Sequence, residues 1–320
     1  MTGVSQETFE VLVRGRTFVA DGVIAIDLVD PTGSELAEWN PGAHIDVLLP
    51  SGLIRQYSLC GDYEDRTYYR IAVLLDAESR GGSREIHDTV GTGTSLQIRG
   101  PRNHFELVDA ESYLFVAGGI GVTPILTMVR RVSQLNKPWY MIYGGRSISS
   151  MAFLDDLLAL GTENVEVVPQ DEKGYPDIEG VVRDLYDTAV YACGPPGLLN
   201  VVVDCCDHHL GPKSAHIERF EAGAPVIAES ENVAFELELR RSGITLTVEP
   251  DETMLEAITR VRPNYLYSCE EGYCGTCMAA VLEGVPEHRD TCLIDEEHES
   301  NELVITCVSR SVTPRLVLDV

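Results

Sequence analysis

Apolar and polar residues alternate with period two in several short runs between residues 8 and 105. Phe9, Val11 and Val13 begin the pattern, and 23–29, 44–49, 69–75 and 95–98 repeat it, with glycine and proline between the runs. Short strands with turn signals at this spacing predict a small closed antiparallel barrel, interrupted by one helix over 83–90. From about residue 111 the period changes. A buried strand over 113–117 leads through a glycine-rich turn into a helix-period stretch over 123–135. Strand-like runs at 139–143, 165–168 and 189–193 then alternate with helical ones at 152–160, 178–185 and 197–208. That alternation predicts a parallel sheet with crossover helices. The stretch AGAPVIAESEN, 222–232, is small, polar and proline-bearing, and reads as a linker. Beyond it, 235–240 and 244–248 pair around Ser242 and Gly243, a helix covers 253–261, and a cysteine-rich loop precedes a final strand pair. The chain thus divides into 1–106, 107–221, a linker at 222–232, and 233–320.

Charge narrows the function classes. The net charge of −27 argues against nucleic acid, whose phosphates would be repelled, and against anionic membrane surfaces. Residues 225–320 hold 19 acids against 7 arginines and no lysine, which suits steering toward a basic docking surface. No apolar run approaches the length of a membrane helix, and MTGVSQETFE has no basic start followed by an apolar segment. A cytoplasmic location is the expectation. In a reducing compartment, nine cysteines point to metal or catalysis before disulfides.

Cys269, Cys274 and Cys277 form C-x4-C-x2-C within YSCEEGYCGTC. Thiolates are soft, charged iron donors, and a plant-type two-iron cluster uses this spacing plus one distant cysteine. Gly272 and Gly275 let backbone amides turn toward the cluster sulfurs. Tetrahedral zinc sites usually pair two C-x2-C knuckles, and only one is present. The fourth ligand is either Cys307, inside the apolar strand-like run ELVITCVS, or Cys292, in the acidic loop-like HRDTCLIDEE. A rigid strand favours Cys307.

The barrel carries RQYSL. Arg55 can supply a cation for a flavin phosphate, Tyr57 a stacking face and Ser58 a donor near N5 of the ring. Ser79, Arg80, Gly81, Gly82 and Ser83 open the barrel's one helix, and bare glycine amides at a helix start suit a phosphate. One phosphate clamp favours FMN over FAD. GGIGVTP, 118–124, then joins a strand to a helix, and Cys193, Gly194, Pro195, Pro196 and Gly197 end a later strand at the sheet's carboxyl edge, where ligands collect.

RQYSL, GGIGVTP and YACGPPG in this order resemble the ferredoxin–NADP reductase superfamily. With the C-terminal cysteine loop, the whole chain resembles the phthalate dioxygenase reductase family, which includes vanillate demethylase reductases. The resemblance implies an antiparallel β-barrel for FMN, an α/β parallel-sheet domain for NAD and an α+β, β-grasp plant-type ferredoxin. It implies that Arg55, Gln56, Tyr57, Ser58, Ala72, Gly81, Gly82 and Ser83 hold FMN. Gly119, Gly121, Thr123, Cys193 and Pro195 would line the nicotinamide site. Glu218 and Phe220, in HIERF, match a segment near the flavin, with Phe220 covering its ring. Ser58, Thr123, Cys193, Glu218 and Phe220 would flank the hydride path, and Cys269, Cys274, Cys277 and Cys307 would bind the 2Fe-2S cluster. NADH users in the family often have an acid after the second strand of the central domain. Here Arg146 and Ser147 stand there, so NADPH is a second possible coenzyme beside NADH.

The implied activity is a reductase that takes a hydride from NAD(P)H and passes single electrons through the cluster to a terminal oxygenase. A Rieske non-haem iron oxygenase acting on an aromatic acid or ether is the expected partner, and a haem-thiolate monooxygenase the alternative. A redox sensor would need no coenzyme site, and a free flavin reductase would leave the ferredoxin unexplained. A monomer is expected, because the ferredoxin face must reach a separate acceptor. Asp204 to His209 (DCCDHH) would spread around a helix, not converge on an ion. His44 and His104 read as structural, Cys60 as a small buried side chain, Cys292 as a bystander thiol and 295–299 as a solvated acidic loop.

Overall fold

The computed structural model describes residues 8–76, 81–212, 214–220, 232–293 and 295–320. Ser79, Arg80 and the linker up to residue 231 lie outside the described residues. The chain forms two compact units, 1–218 and 219–320.

In the first unit, β1 (Phe9–Ala20), β2 (Val23–Val29), β3 (His44–Leu48), β4 (Ile54–Ser58), β5 (Tyr69–Leu74) and β6 (Ser95–Arg102) form an antiparallel sheet ordered β4-β3-β6-β1-β2-β5. Its edges meet at an antiparallel bridge between Leu59 and Ile71, and the Cys60 N–H donates to the Arg70 carbonyl at 2.9 Å. The sheet therefore curls back on itself, as the strand spacing predicts. Val11, Ile24, Ile26, Ile45, Val47, Ile71 and Ile98 fill its interior. Helix α1 (Gly82–Thr89) sits between β5 and β6.

A parallel sheet follows, ordered β11-β10-β7-β8-β9, built from β7 (Ser112–Gly118), β8 (Trp139–Gly145), β9 (Val165–Pro169), β10 (Thr188–Cys193) and β11 (Ala215–Glu218). The crossovers carry α2 (Val122–Gln134), α3 (Leu154–Leu158), α4 (Gln170–Lys173), α5 (Ile178–Val182) and α6 (Pro196–His209). Helix α3 is shorter than the 152–160 expected, because Phe153 adopts φ 58°, outside helical space. On α6, Cys206 turns into the core while Asp204, Asp207 and His208 face solvent, so these groups do spread around the helix. No helix among the described residues is long and apolar enough to cross a membrane.

The second unit has a sheet ordered β13-β12-β18-β14-β16, from β12 (Phe235–Leu239), β13 (Ile244–Val248), β14 (Met278–Glu283), β16 (Leu303–Ile305) and β18 (Arg315–Leu318). Strands β15 (Pro286–Glu287) and β17 (Arg310–Ser311) form a separate pair. Helix α7 (Met254–Val261) packs Met254, Ala257 and Ile258 on Leu237, Leu239 and Leu316. Its start is a reciprocal cap: the Glu256 N–H donates to Thr253 Oγ1 at 3.1 Å and the Thr253 N–H to Glu256 Oε2 at 2.8 Å. The acidic run expected as a loop is instead a short helix, α8 (Asp295–Ser300). Acids are favourable in a first helical turn, and the His298 ring lies 3.2 Å from the Asp290 carboxylate.

Candidate functional site

Four thiols converge in the second unit. The cysteine loop runs from α7 to β14, so Cys277 immediately precedes a strand, and Cys307 lies just past the end of β16. All four side chains are buried. The thiol of Cys269 contacts those of Cys274 and Cys307, and Cys277 contacts Cys307. Donation from these neighbours holds Cys269 well below the usual thiol range. The amides of Glu271 and Cys269 point inward, donating to Cys269 Sγ at 3.4 Å and Cys274 Sγ at 3.5 Å. The loop can take this path because Gly272 adopts φ 80°. Cys307 was expected within the strand, but it occupies the following turn. Thr306 pins that turn by donating Oγ1–H to the Cys277 carbonyl at 3.0 Å. Cys292 is packed beside this group, its Sγ facing the Gly275 backbone.

In the first unit, Arg55 and Gly82 are in direct contact. A Cβ on Gly82 would lie 2.5 Å from Arg55 Nε, so the glycine lets the guanidinium rest on the first turn of α1. Gly81 caps that helix at φ 95°, and Ser83 Oγ accepts from the Asp76 N–H at 3.3 Å. A guanidinium, glycine backbone and a hydroxyl at one helix start fit a single phosphate, the FMN requirement. Tyr57 is half-buried against the barrel core, Ala72 is buried on β5, and Gln56 Nε2 donates to Asp46 Oδ1 at 3.4 Å.

Ser58 Oγ–H donates to Glu218 Oε2 at 3.5 Å, joining the barrel to the last strand of the parallel sheet. Burial pushes the Glu218 carboxyl up to about 8, against the opposing effect of this hydrogen bond. Glu218 is in register with Cys193, and Cys193 with Ala117. Burial also pushes the Cys193 thiol well above its ordinary value, so it is neutral near pH 7. GGIG and CGPP meet backbone to backbone: a Cβ on Gly121 would lie 2.3 Å from the Cys193 carbonyl oxygen, and one on Gly118 2.6 Å from Pro195 Cδ. Gly119, in contrast, has nothing within 4 Å of its Cβ position, which leaves open space above the turn. Thr123 is buried and donates to the Ile120 carbonyl at 3.0 Å. Gly121→Ala is therefore expected to force the two loops apart and raise the KM for NADH about tenfold, equivalent to ~1.4 kcal/mol. Steady-state kinetics with a melting control checks this.

Arg146 stands apart, exposed beyond β8. Phe220 follows β11 and falls in the second unit. Sequence reasoning missed a buried polar group on the barrel face that carries Gln56 and Ser58. There Asp46 takes Arg102 Nη2 at 2.6 Å and Arg99 Nε at 3.7 Å. The Arg99 guanidinium and both His44 ring nitrogens are buried without hydrogen-bond partners. His44 stacks on His104, with centroids 5.6 Å apart. The available signal was polar His44 and Asp46 alternating with core Ile45 and Val47.

Two family models match the chain: the 2Fe-2S iron-sulfur cluster binding domain over 237–312 and the oxidoreductase NAD-binding domain over 115–204. The chain is 38% identical to the phthalate 4,5-dioxygenase oxygenase reductase subunit of Pseudomonas putida, over 96% of this chain and 95% of that protein. It is 41% identical to a putative toluene-4-sulfonate monooxygenase system reductase subunit of Comamonas testosteroni, over 94% and 96%. The solved structure of phthalate dioxygenase reductase superposes with TM-score 0.72 at 31% identity, covering 98% of both chains. An intact type IV self-sufficient cytochrome P450 monooxygenase superposes with TM-score 0.90 at 40% identity, covering 98% of this chain and 41% of that one. The chain belongs to the phthalate dioxygenase reductase family, with FMN, NAD and a 2Fe-2S cluster as its cofactors.

Proposed function

We infer that this protein is the reductase component of an oxygenase system, drawing electrons from NAD(P)H and delivering them singly to a terminal oxygenase. One observation carries the reading: a single chain holds both four convergent buried cysteines and the Ser58–Glu218–Cys193 edge of a coenzyme-binding sheet. FMN, when bound, accepts a hydride and releases its electrons one at a time, which matches a two-electron donor to a one-electron cluster.

The chain's own residues bind and orient. Arg55, Gly81, Gly82 and Ser83 hold the flavin phosphate, while Gln56, Tyr57, Ser58 and Ala72 line its ring. Gly119, Gly121, Thr123 and Pro195 shape the nicotinamide position, and neutral Cys193 borders it without competing for the hydride. Cys269, Cys274, Cys277 and Cys307 hold the cluster, in a domain spanning 233–320 after a barrel of 1–106 and a coenzyme domain of 107–221. The acidic ferredoxin docks on a basic partner surface, and a monomer leaves that face accessible.

The relatives named for oxygenase systems favour a Rieske oxygenase acting on an aromatic acid or ether. The likeness to a self-sufficient P450 supports a haem-thiolate partner as the second reading. Anaerobic addition of NADH should bleach overlapping flavin and iron–sulfur bands in a protein carrying about two irons per chain. A spectrum that NADH and NADPH both leave unchanged would sink the reading. Arg146, exposed beyond β8, is the candidate cation for a 2′-phosphate and should make NADPH usable. Arg146→Asp is then expected to lower kcat/KM for NADPH about tenfold and leave NADH unaffected. An unchanged ratio removes Arg146 from the coenzyme site.

A further inference from the structure

We propose that His288, Asp290 and His298 form a binding site for one divalent transition-metal ion of the zinc type, separate from the four-cysteine site. Their ligand atoms all lie within 4.8 Å of one another. His298 Nε2 is 3.2 Å from Asp290 Oδ2, and His288 Nδ1 is 3.7 Å from Asp290 Oδ1. The two imidazoles face each other with centroids 4.5 Å apart. Three such donors set around one point are a zinc-type arrangement, in which a fourth position stays open to water. Two imidazole nitrogens and one carboxylate favour a borderline ion over calcium or magnesium, which prefer oxygen alone.

The surroundings suit ligation. Both ring nitrogens of His288 are shielded from solvent, and neither makes a close hydrogen bond, its nearest ionic neighbour being Asp290 Oδ1 at 3.7 Å. Asp290 is oriented from behind: Oδ2 accepts from the N–H groups of Cys292 at 3.2 Å and Leu293 at 2.9 Å, and Oδ1 from Ser309 Oγ–H at 3.4 Å. Such outer bonds fix a ligating carboxylate. Arg289, next in sequence, reaches Glu287 at 2.8 Å.

The site also has a structural consequence. His298 lies in the last turn of α8, whereas His288 and Asp290 follow β15. The same segment supports the cysteine loop, because the Thr291 N–H donates to the Gly272 carbonyl at 3.0 Å. An ion at this point would staple α8 to the underside of that loop.

The test is a calorimetric titration of the holoprotein, carrying FMN and cluster, with zinc chloride while the visible cluster spectrum and iron content are followed. The expected result is one saturable zinc site of micromolar affinity or tighter, with no loss of iron. His288→Gln and His298→Gln should each weaken it at least about tenfold. A double His208→Gln/His209→Gln variant, which removes the adjacent histidine pair of α6, should bind as the parent does. Either single variant suffices if the other fails to load its cluster. No saturable binding, uptake matched by iron release, or affinity unchanged in the single variants overturns the proposal and leaves a metal-free His–Asp–His cluster. NADH-dependent bleaching, read separately, is unaffected by that outcome.

Discussion

Cys307→Ser is expected to leave a protein whose flavin NADH still reduces but which no longer passes electrons to cytochrome c. The four buried sulfurs touch in a chain, Cys274–Cys269–Cys307–Cys277, so Cys307 links the two ends of the loop. Removing an outer-shell partner of a metal ligand costs 10- to 100-fold in affinity or activity, so losing a ligand should cost more than about a hundredfold. Flavin reduction is separate chemistry in the first unit and should persist within about twofold. The measurement is stopped-flow flavin reduction beside steady-state cytochrome c turnover, with iron counted per chain. Cys292→Ser is the matched control. Its thiol is pressed on Gly275, and its N–H, not its sulfur, is held by Asp290. It should retain iron and turnover. Loss of iron in Cys292→Ser with retention in Cys307→Ser would reverse the ligand assignment.

The contrast between these two cysteines marks how far the sequence could be read. Spacing alone brought Cys269, Cys274 and Cys277 together, because ligands on one short loop are constrained by local geometry. Cys307 was separable from Cys292 by the apolar run around it, yet its position in a turn depends on Thr306 bonding to Cys277, a contact 29 residues away in sequence. The barrel and parallel sheet were legible for the same reason as the loop: period-two and helix-period patterns are local. Strand β11 was not, since its four residues are all only half-buried and give no alternation.

The buried charges were the least legible. In β6, Leu96 and Ile98 point inward, so alternation assigns Gln97 and Arg99 to solvent, and Gln97 is indeed exposed. Arg99 is nonetheless 1% exposed, because part of the barrel's outer face is covered. Its pairing with Asp46 joins strands about fifty residues apart, and no window of sequence carries that. Likewise the run 295–299 reads as charge alone, and only the position of Asp290 reveals why a helix there is held in place.

Glu218 offers the sharpest test of the hydride side. With its carboxyl raised to about 8 by burial, it is neutral at pH 7 and becomes charged as pH rises through that value. A negative charge beside Ser58 would oppose the arrival of a hydride at the neighbouring ring position, so flavin reduction should slow above about pH 8. Glu218→Gln keeps the neutral shape and should flatten the profile. Glu218→Ala removes the Ser58 partner and should slow reduction by up to about a hundredfold at all pH values, as a misplaced positioning group does. The same shift makes a stability statement with a definite sign. The native state keeps the proton up to about pH 8, whereas an unfolded glutamate releases it near 4.5, so Glu218 should cost stability progressively as pH rises between those values. The melting temperature of the parent should therefore fall relative to Glu218→Gln across that window and run parallel to it above. A rate profile unchanged in Glu218→Gln, with the melting difference present, would keep Glu218 as a buried acid and remove it from the hydride path.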